Sequence, residues 1–219
     1  MFIVGILLLS VFLGARLHSL FFSRIALWEF NTAKASQANG NSAGDRRSVT
    51  GNPADFGLWG KTRIRAYRAS LALKIDPPIA VLSIPRLALT APVFNGTDDL
   101  TLNRGLGRIE GTNGPGGDGN LGIAGHRDGF FRGLKDIKAG DTVEIQIPGE
   151  KDTYIVNGMK VVEPKDVSVL GRSPTATVTL VTCYPFYFVG EAPHRFVVKA
   201  SLRYRDLLQQ ARVLTPEQQ

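Results

Sequence analysis

Three side chains, widely separated along the chain, are of the types that acyl transfer needs. Cys183 is the single cysteine of the 219 residues. It ends Thr-Leu-Val-Thr-Cys at 179–183, a β-branched run that breaks into Tyr184, Pro185 and Phe186. His126 stands in Ala-Gly-His-Arg-Asp at 124–128, and Arg195 in His-Arg-Phe-Val-Val at 194–198. When a thiolate attacks a peptide carbonyl, the oxyanion that forms needs positive charge or N–H donors, and the departing amine needs a proton. Cys183 supplies the nucleophile, and Arg195 a permanent charge on a planar fork of donors. His126, when protonated, supplies the acid; once neutral, it deprotonates the amine that resolves the thioester. With ordinary pKa values of about 8.5 and 6.5, thiolate and imidazolium coexist in roughly one molecule in a hundred near pH 7. Either the site draws the two values together or a small competent population turns over.

Each residue also has a plainer role open to it. A lone cysteine in a β-rich run is a small buried hydrophobe as readily as a nucleophile. His126 could satisfy a loop carbonyl, Arg195 could be solvated, and Asp128 either orients His126 or sits at the surface. Thr182 either contacts substrate, braces the site or is an ordinary strand residue. His194 is the rival base, but neighbouring strand residues face opposite sides of a sheet, so at most one of His194 and Arg195 looks toward Cys183.

The elements that must hold these groups are short strands with turn punctuation. Runs at 79–84, 91–94, 121–124, 142–147, 153–162, 176–182 and 195–204 predict strands, with short helical pieces at 97–102 and 130–136 and a glycine-rich loop at 111–120. The fold class is all-β, and a closed barrel solves the edge-strand problem better than an open sheet. Ahead of the strands, Trp59, Ile64, Tyr67 and Leu71 recur at mostly helical spacing with Lys61, Arg63, Arg65 and Arg68 between them. That is an amphipathic lead-in over 56–78, ended by Pro77 and Pro78 and lying on the domain or on a membrane surface. Residues 31–55 are polar and read as a flexible tether, and 205–219 as a polar tail. Residues 1–30 are strongly apolar and read as an uncleaved membrane anchor, with His18 an interfacial residue. Arg16 and Arg24 lie on its carboxyl side, where the positive-inside rule opposes export.

Hydrophobic residues make up 43% of the chain, charged residues 21%, and the net charge is +7. That balance fits a domain with a basic surface attractive to anionic lipid or wall polymer. The scattered cations lack the interleaved aromatics of a nucleic-acid site. One cysteine excludes an internal disulfide and a cysteine-based metal cluster.

Together, Thr-Leu-Val-Thr-Cys at 179–183, Gly-His-Arg at 125–127 and Arg195 twelve positions after the cysteine resemble the sortases, the bacterial cell-surface cysteine transpeptidases. The resemblance covers roughly 79–204, and the stretches 105–111, 120–140 and 178–189 look most like class D. It implies an eight-stranded β-barrel as the catalytic domain over 79–204, with Cys183 ending the seventh strand, Arg195 on the eighth and His126 in the loop after the fourth. It further implies an N-terminal anchor with the catalytic domain outside the cytoplasmic membrane. The substrates would be secreted proteins carrying an LPxTG-like sorting signal, passed through a thioester to an amine acceptor such as a cell-wall precursor or a pilin lysine. Some relatives bind calcium, but Glu110, Asp118 and Glu163 make no readable ligand pattern, so neither metal nor cofactor is assigned. The segment 184–189 and the loop 151–174 either border a peptide groove or close the barrel end. Two other readings remain at this stage. One is a cysteine peptidase in which water resolves the thioester; the other is a non-catalytic barrel that binds a partner with Cys183 inert.

Overall fold

The computed structural model describes residues 56–187 and 190–207. The expected anchor at 1–30 and tether at 31–55 lie outside the described residues; of the polar tail expected at 205–219, residues 205–207 instead continue the last strand, paired to Glu150, Lys151 and Asp152, and the rest lies outside the described residues. Among the described residues no helix is long and apolar enough to cross a membrane.

Eight strands form the body: β1 (Ala80–Ile84), β2 (Leu89–Asn95), β3 (Leu106–Arg108), β4 (Asn120–Ala124), β5 (Thr142–Ile147), β6 (Glu150–Val162), β7 (Thr177–Tyr184) and β8 (His194–Leu207). They close into a barrel in the order β1-β2-β3-β4-β7-β8-β6-β5, which leaves no free edge. The pairs β2–β3 and β4–β7 are parallel and the other pairs antiparallel. Leu82, Ile84, Leu106, Ile123, Ile145 and Leu180 fill the interior with 0–1% exposure. Burying each such side chain contributes ~1.5–3 kcal/mol before chain entropy is charged against it.

β3 is the strand that hydropathy misses. It is three residues long with Gly107 at its centre, and a Cβ there would stand 2.1 Å from the Gly96 carbonyl oxygen. Close backbone approach thus demands the residue type that weakens a strand signal. The helical pieces follow their caps. In α2 (Asp99–Arg104), Asp98 accepts hydrogen bonds from the Thr101 backbone N–H at 3.0 Å and from its hydroxyl at 2.6 Å. The piece after β4 is a 3₁₀ turn over Phe130–Asp136.

The lead-in helix α1 (Lys61–Ser70) lies against the domain. Tyr67 is buried in a cluster with Phe56, Trp59 and Phe130, the Trp59 and Phe130 ring centroids being 4.7 Å apart. The helix ends at Ser70, well before Pro77. Arg104 of α2 holds this end: its guanidinium donates to the carbonyls of Ser70 and, at 2.8 Å, of Leu73.

β7 sets the frame for the site. Val178 and Leu180 point into the core, so Thr177, Thr179, Val181 and Cys183 point outward. The outer face is nevertheless largely covered, because the connection after β6, with its 3₁₀ turn Val167–Leu170, folds over it. Asn120 pins that connection. Its side-chain N–H groups donate to the carbonyls of Val169 at 3.3 Å and Gly171 at 3.0 Å, and its oxygen accepts from the Thr179 hydroxyl at 2.7 Å.

Candidate active site

Strand register brings the three candidate residues to one place. Cys183 lies directly opposite Arg195 in the antiparallel β7–β8 pair, and directly opposed residues share a face. β4 runs parallel to β7 with Ala124 beside Val181, and the Gly125 N–H donates to the Val181 carbonyl at 3.2 Å. The pairing ends there, with His126 two residues beyond Ala124 and Cys183 two residues beyond Val181.

Two contacts bracket this juxtaposition. On one side, the Thr182 hydroxyl donates to the Gly125 carbonyl at 2.7 Å; on the other, the Arg127 guanidinium donates to the carbonyls of Pro185 at 3.0 Å and Gly190 at 2.9 Å. The residues flanking His126 are therefore bonded to those flanking Cys183. Gly125 is required for this exit from β4. A Cβ there would meet Phe131 at 2.6 Å and Leu106 at 2.7 Å inside the barrel. The His126 carbonyl then accepts from the N–H groups of Gly129 and Phe131, which fixes the loop.

Cys183 is half-buried and free. The Arg195 guanidinium donates to the carbonyls of His194 at 3.0 Å and Ala192 at 3.2 Å, and no carboxylate pairs with it among the described residues. His126 has its Nε2 buried with no hydrogen-bond partner. Burial, and next the positive charge of Arg63, push its pKa down to about 4, against the opposing pull of Asp128 and Asp99. The imidazole is neutral at pH 7, so a resting imidazolium is not what this environment favours.

The remaining candidates fall elsewhere. His194 pairs with Tyr184 in the register, one position off the Cys183–Arg195 row, and its Nδ1 faces Glu163 at 3.5 Å. Thr182 is 2% exposed on the inward face, behind the sheet from Cys183. Asp128 accepts from Arg63 of α1 at 3.0 Å. Tyr184 and Phe186 pack with Phe196, at centroid distances of 6.3 and 5.4 Å, and so close the barrel end. Arg132 covers the Tyr187 ring at 4.0 Å. Among the described residues no group of His, Cys, Asp and Glu is placed to hold a metal ion.

Sequence reasoning missed Asn120, Arg127 and Arg63. Asn120 reads as a turn residue at the end of a glycine-rich loop. Arg127 is read only as part of the Gly-His-Arg motif and Arg63 only as a helix cation, and nothing local shows that their acceptors are distant carbonyls or a loop carboxylate.

The sortase domain family matches residues 82–203. The chain is 30% identical over 132 residues to sortase D of Bacillus subtilis, covering 60% of this chain and 67% of that protein. Across three such relatives the matched stretch spans 53–67% of their lengths. Among solved structures, Listeria monocytogenes sortase A superposes with a TM-score of 0.56 at 25% identity, covering 62% of this chain and 93% of that one. Sortase E from Streptomyces avermitilis gives 0.51 at 31% identity, covering 59% and 90%. With its eight-stranded closed barrel and the family match over more than half its length, the chain belongs to the sortase family.

Proposed function

We propose that this chain is a cysteine transpeptidase in which Cys183, His126 and Arg195 perform acyl transfer on a sorting signal. The observation that carries the reading is the register: Arg195 directly across from Cys183, and His126 at the continuation of the β4–β7 pair beside it. A fold-only role does not require a thiol, an imidazole and an unneutralised guanidinium on one face.

The low pKa of His126 sets the order of proton transfers. In the resting site the neutral imidazole accepts the thiol proton as the sulfur attacks the substrate carbonyl, so the C–S bond forms while the carbonyl π pair moves to oxygen. Arg195 turns its donors toward that oxyanion. The imidazolium so formed is a strong acid. It gives its proton to the amine as the C–N bond breaks, leaving a thioester on Cys183. An incoming amine then passes a proton to the neutral imidazole while attacking the thioester, and the thiolate leaves and is reprotonated from His126. Thr182 braces the site from behind by holding Gly125, rather than touching substrate.

The substrate class proposed is an LPxTG-like signal on secreted proteins, and the acceptor an amine on a wall precursor or a pilin lysine. The catalytic domain, 79–204, would act outside the cytoplasmic membrane, held there by an anchor at 1–30 and a tether at 31–55. The test mixes the purified chain with a panel of sorting-signal peptides and hydroxylamine. Peptide hydroxamate forms with the parent, is lost in Cys183→Ala and His126→Ala, and outruns hydrolysis as hydroxylamine rises. No hydroxamate across the panel, or undiminished product in Cys183→Ala, overturns the proposal.

A further inference from the structure

The matched family segment begins at residue 82, whereas α1 ends at Ser70. One side chain of α1 nevertheless reaches the loop that carries His126. Arg63 Nε lies 3.0 Å from Asp128 Oδ1, and its Nη1 donates to Asn103 Oδ1 on α2. Its aliphatic stem runs beside Gly129, where an added Cβ would meet the Arg63 Cγ at 3.4 Å and the His126 Cβ at 3.5 Å. Arg63 is thus a three-way clamp joining α1, α2 and the 126–129 loop, only partly exposed at 20%. The helix that delivers it is held by the Phe56–Trp59–Tyr67–Phe130 rings at its start and by Arg104 at its end.

We propose that Arg63 is a positioning residue of the active site, clamping the His126 loop through Asp128 and setting a positive charge against the ring. α1 is then a working part of the transfer unit and not only a connector. The inference rests on the role proposed for His126 above. The charges acting on His126 are Arg63 from α1, Asp128 from its own loop and Asp99 from α2. Arg63 disfavours the imidazolium and the two carboxylates favour it, with burial as the largest influence.

This opposition separates positioning from mere structure. Arg63→Gln and Asp128→Asn break the same ion pair. A clamp with only a structural role would loosen the loop equally in both variants, hydrating the ring and raising its pKa in both. Under the proposal the two diverge: Arg63→Gln moves the His126 titration up from about 4 toward the ordinary 6.5, and Asp128→Asn moves it down.

The measurement is an NMR titration of ring-labelled histidines in the full chain. The His126 signal is assigned by its disappearance in His126→Gln, and the acid limb of hydroxamate formation is recorded alongside. Arg63→Lys keeps a cation in place and holds the titration near the parent. Upward shifts in both charge-removing variants, or no shift in Arg63→Gln, overturn the inference. If Arg63→Gln does not fold, an upward shift in Asp128→Asn overturns it and a downward shift supports it. The titration needs no turnover, so a parent that transfers no peptide sinks the proposed function while the role of Arg63 in setting the state of His126 is still read.

Discussion

Two arginines on one strand are treated in opposite ways. Arg205, near the end of β8, lies across from Asp152 of β6 and binds it twice, Nε to Oδ1 at 2.6 Å and Nη2 to Oδ2 at 2.9 Å. Asp152 is 1% exposed, and the Tyr154 hydroxyl donates to it at 3.0 Å. Burial and that carboxylate push the Tyr154 phenol up out of its ordinary range. Ten residues earlier, Arg195 faces Val162 on one neighbour strand and Cys183 on the other, and only carbonyls take its donors. At the Arg205 end the ion pairs of Arg205 with Asp152 and Glu150 hold the barrel, although Glu150 Oε1 and the Thr153 hydroxyl are buried without a hydrogen-bond partner. At the Arg195 end the guanidinium is met by carbonyls and, among the described residues, by no carboxylate, and the buried His126 Nε2 has no hydrogen-bond partner.

If the two ends differ in this way, substitutions should divide cleanly between stability and activity. Arg205→Leu leaves the Asp152 carboxylate buried and uncompensated, costing about 3–5 kcal/mol in denaturant unfolding, with transfer per folded molecule unchanged. Arg195→Ala does the reverse. Transfer falls about 10²–10³-fold with the unfolding curve unmoved, as for loss of one oxyanion donor. An intermediate case is Asn120→Ala, which orphans two loop carbonyls and the Thr179 hydroxyl. It should cost about 1–3 kcal/mol and speed amide exchange in 163–176, because the wall of the site is tied down through that side chain.

A further effect is a pH dependence. Burial holds the His126 pKa at about 4 in the fold, below the 6.5 of the unfolded chain, so between these values the unfolded state binds more protons. The contribution of neutral His126 to stability is complete above pH 6.5, falls as pH drops, and is gone once pH passes below about 4. His126→Gln should flatten the unfolding profile in that window; an unchanged slope would mean the ring is not buried as described.

Much of this architecture is legible in the residues themselves. β-branched runs bounded by glycine and proline mark seven of the strands, since alternating burial leaves a period-2 trace. Gly125 before His126 and the run into Cys183 mark strand exits, where chemistry-bearing side chains become accessible. β3 leaves no trace because its central glycine answers to the Gly96 carbonyl rather than to strand propensity. The protonation state of His126 was hidden for a similar reason. It depends first on burial and then on Arg63, 63 positions earlier, which in sequence is one more cation on the polar side of a helix. The end of α1 at Ser70 is held in turn by Arg104, 34 positions later.

The most direct test of the central claim is the intact mass of the chain, acid-quenched within seconds of mixing with an intact sorting peptide. The account predicts an adduct equal to the peptide's amino-terminal fragment, mapped to Cys183, accumulating in the parent and absent from Cys183→Ala. An unmodified mass across the peptide panel, in protein whose Cys183 still reacts with a small alkylating reagent, would contradict it.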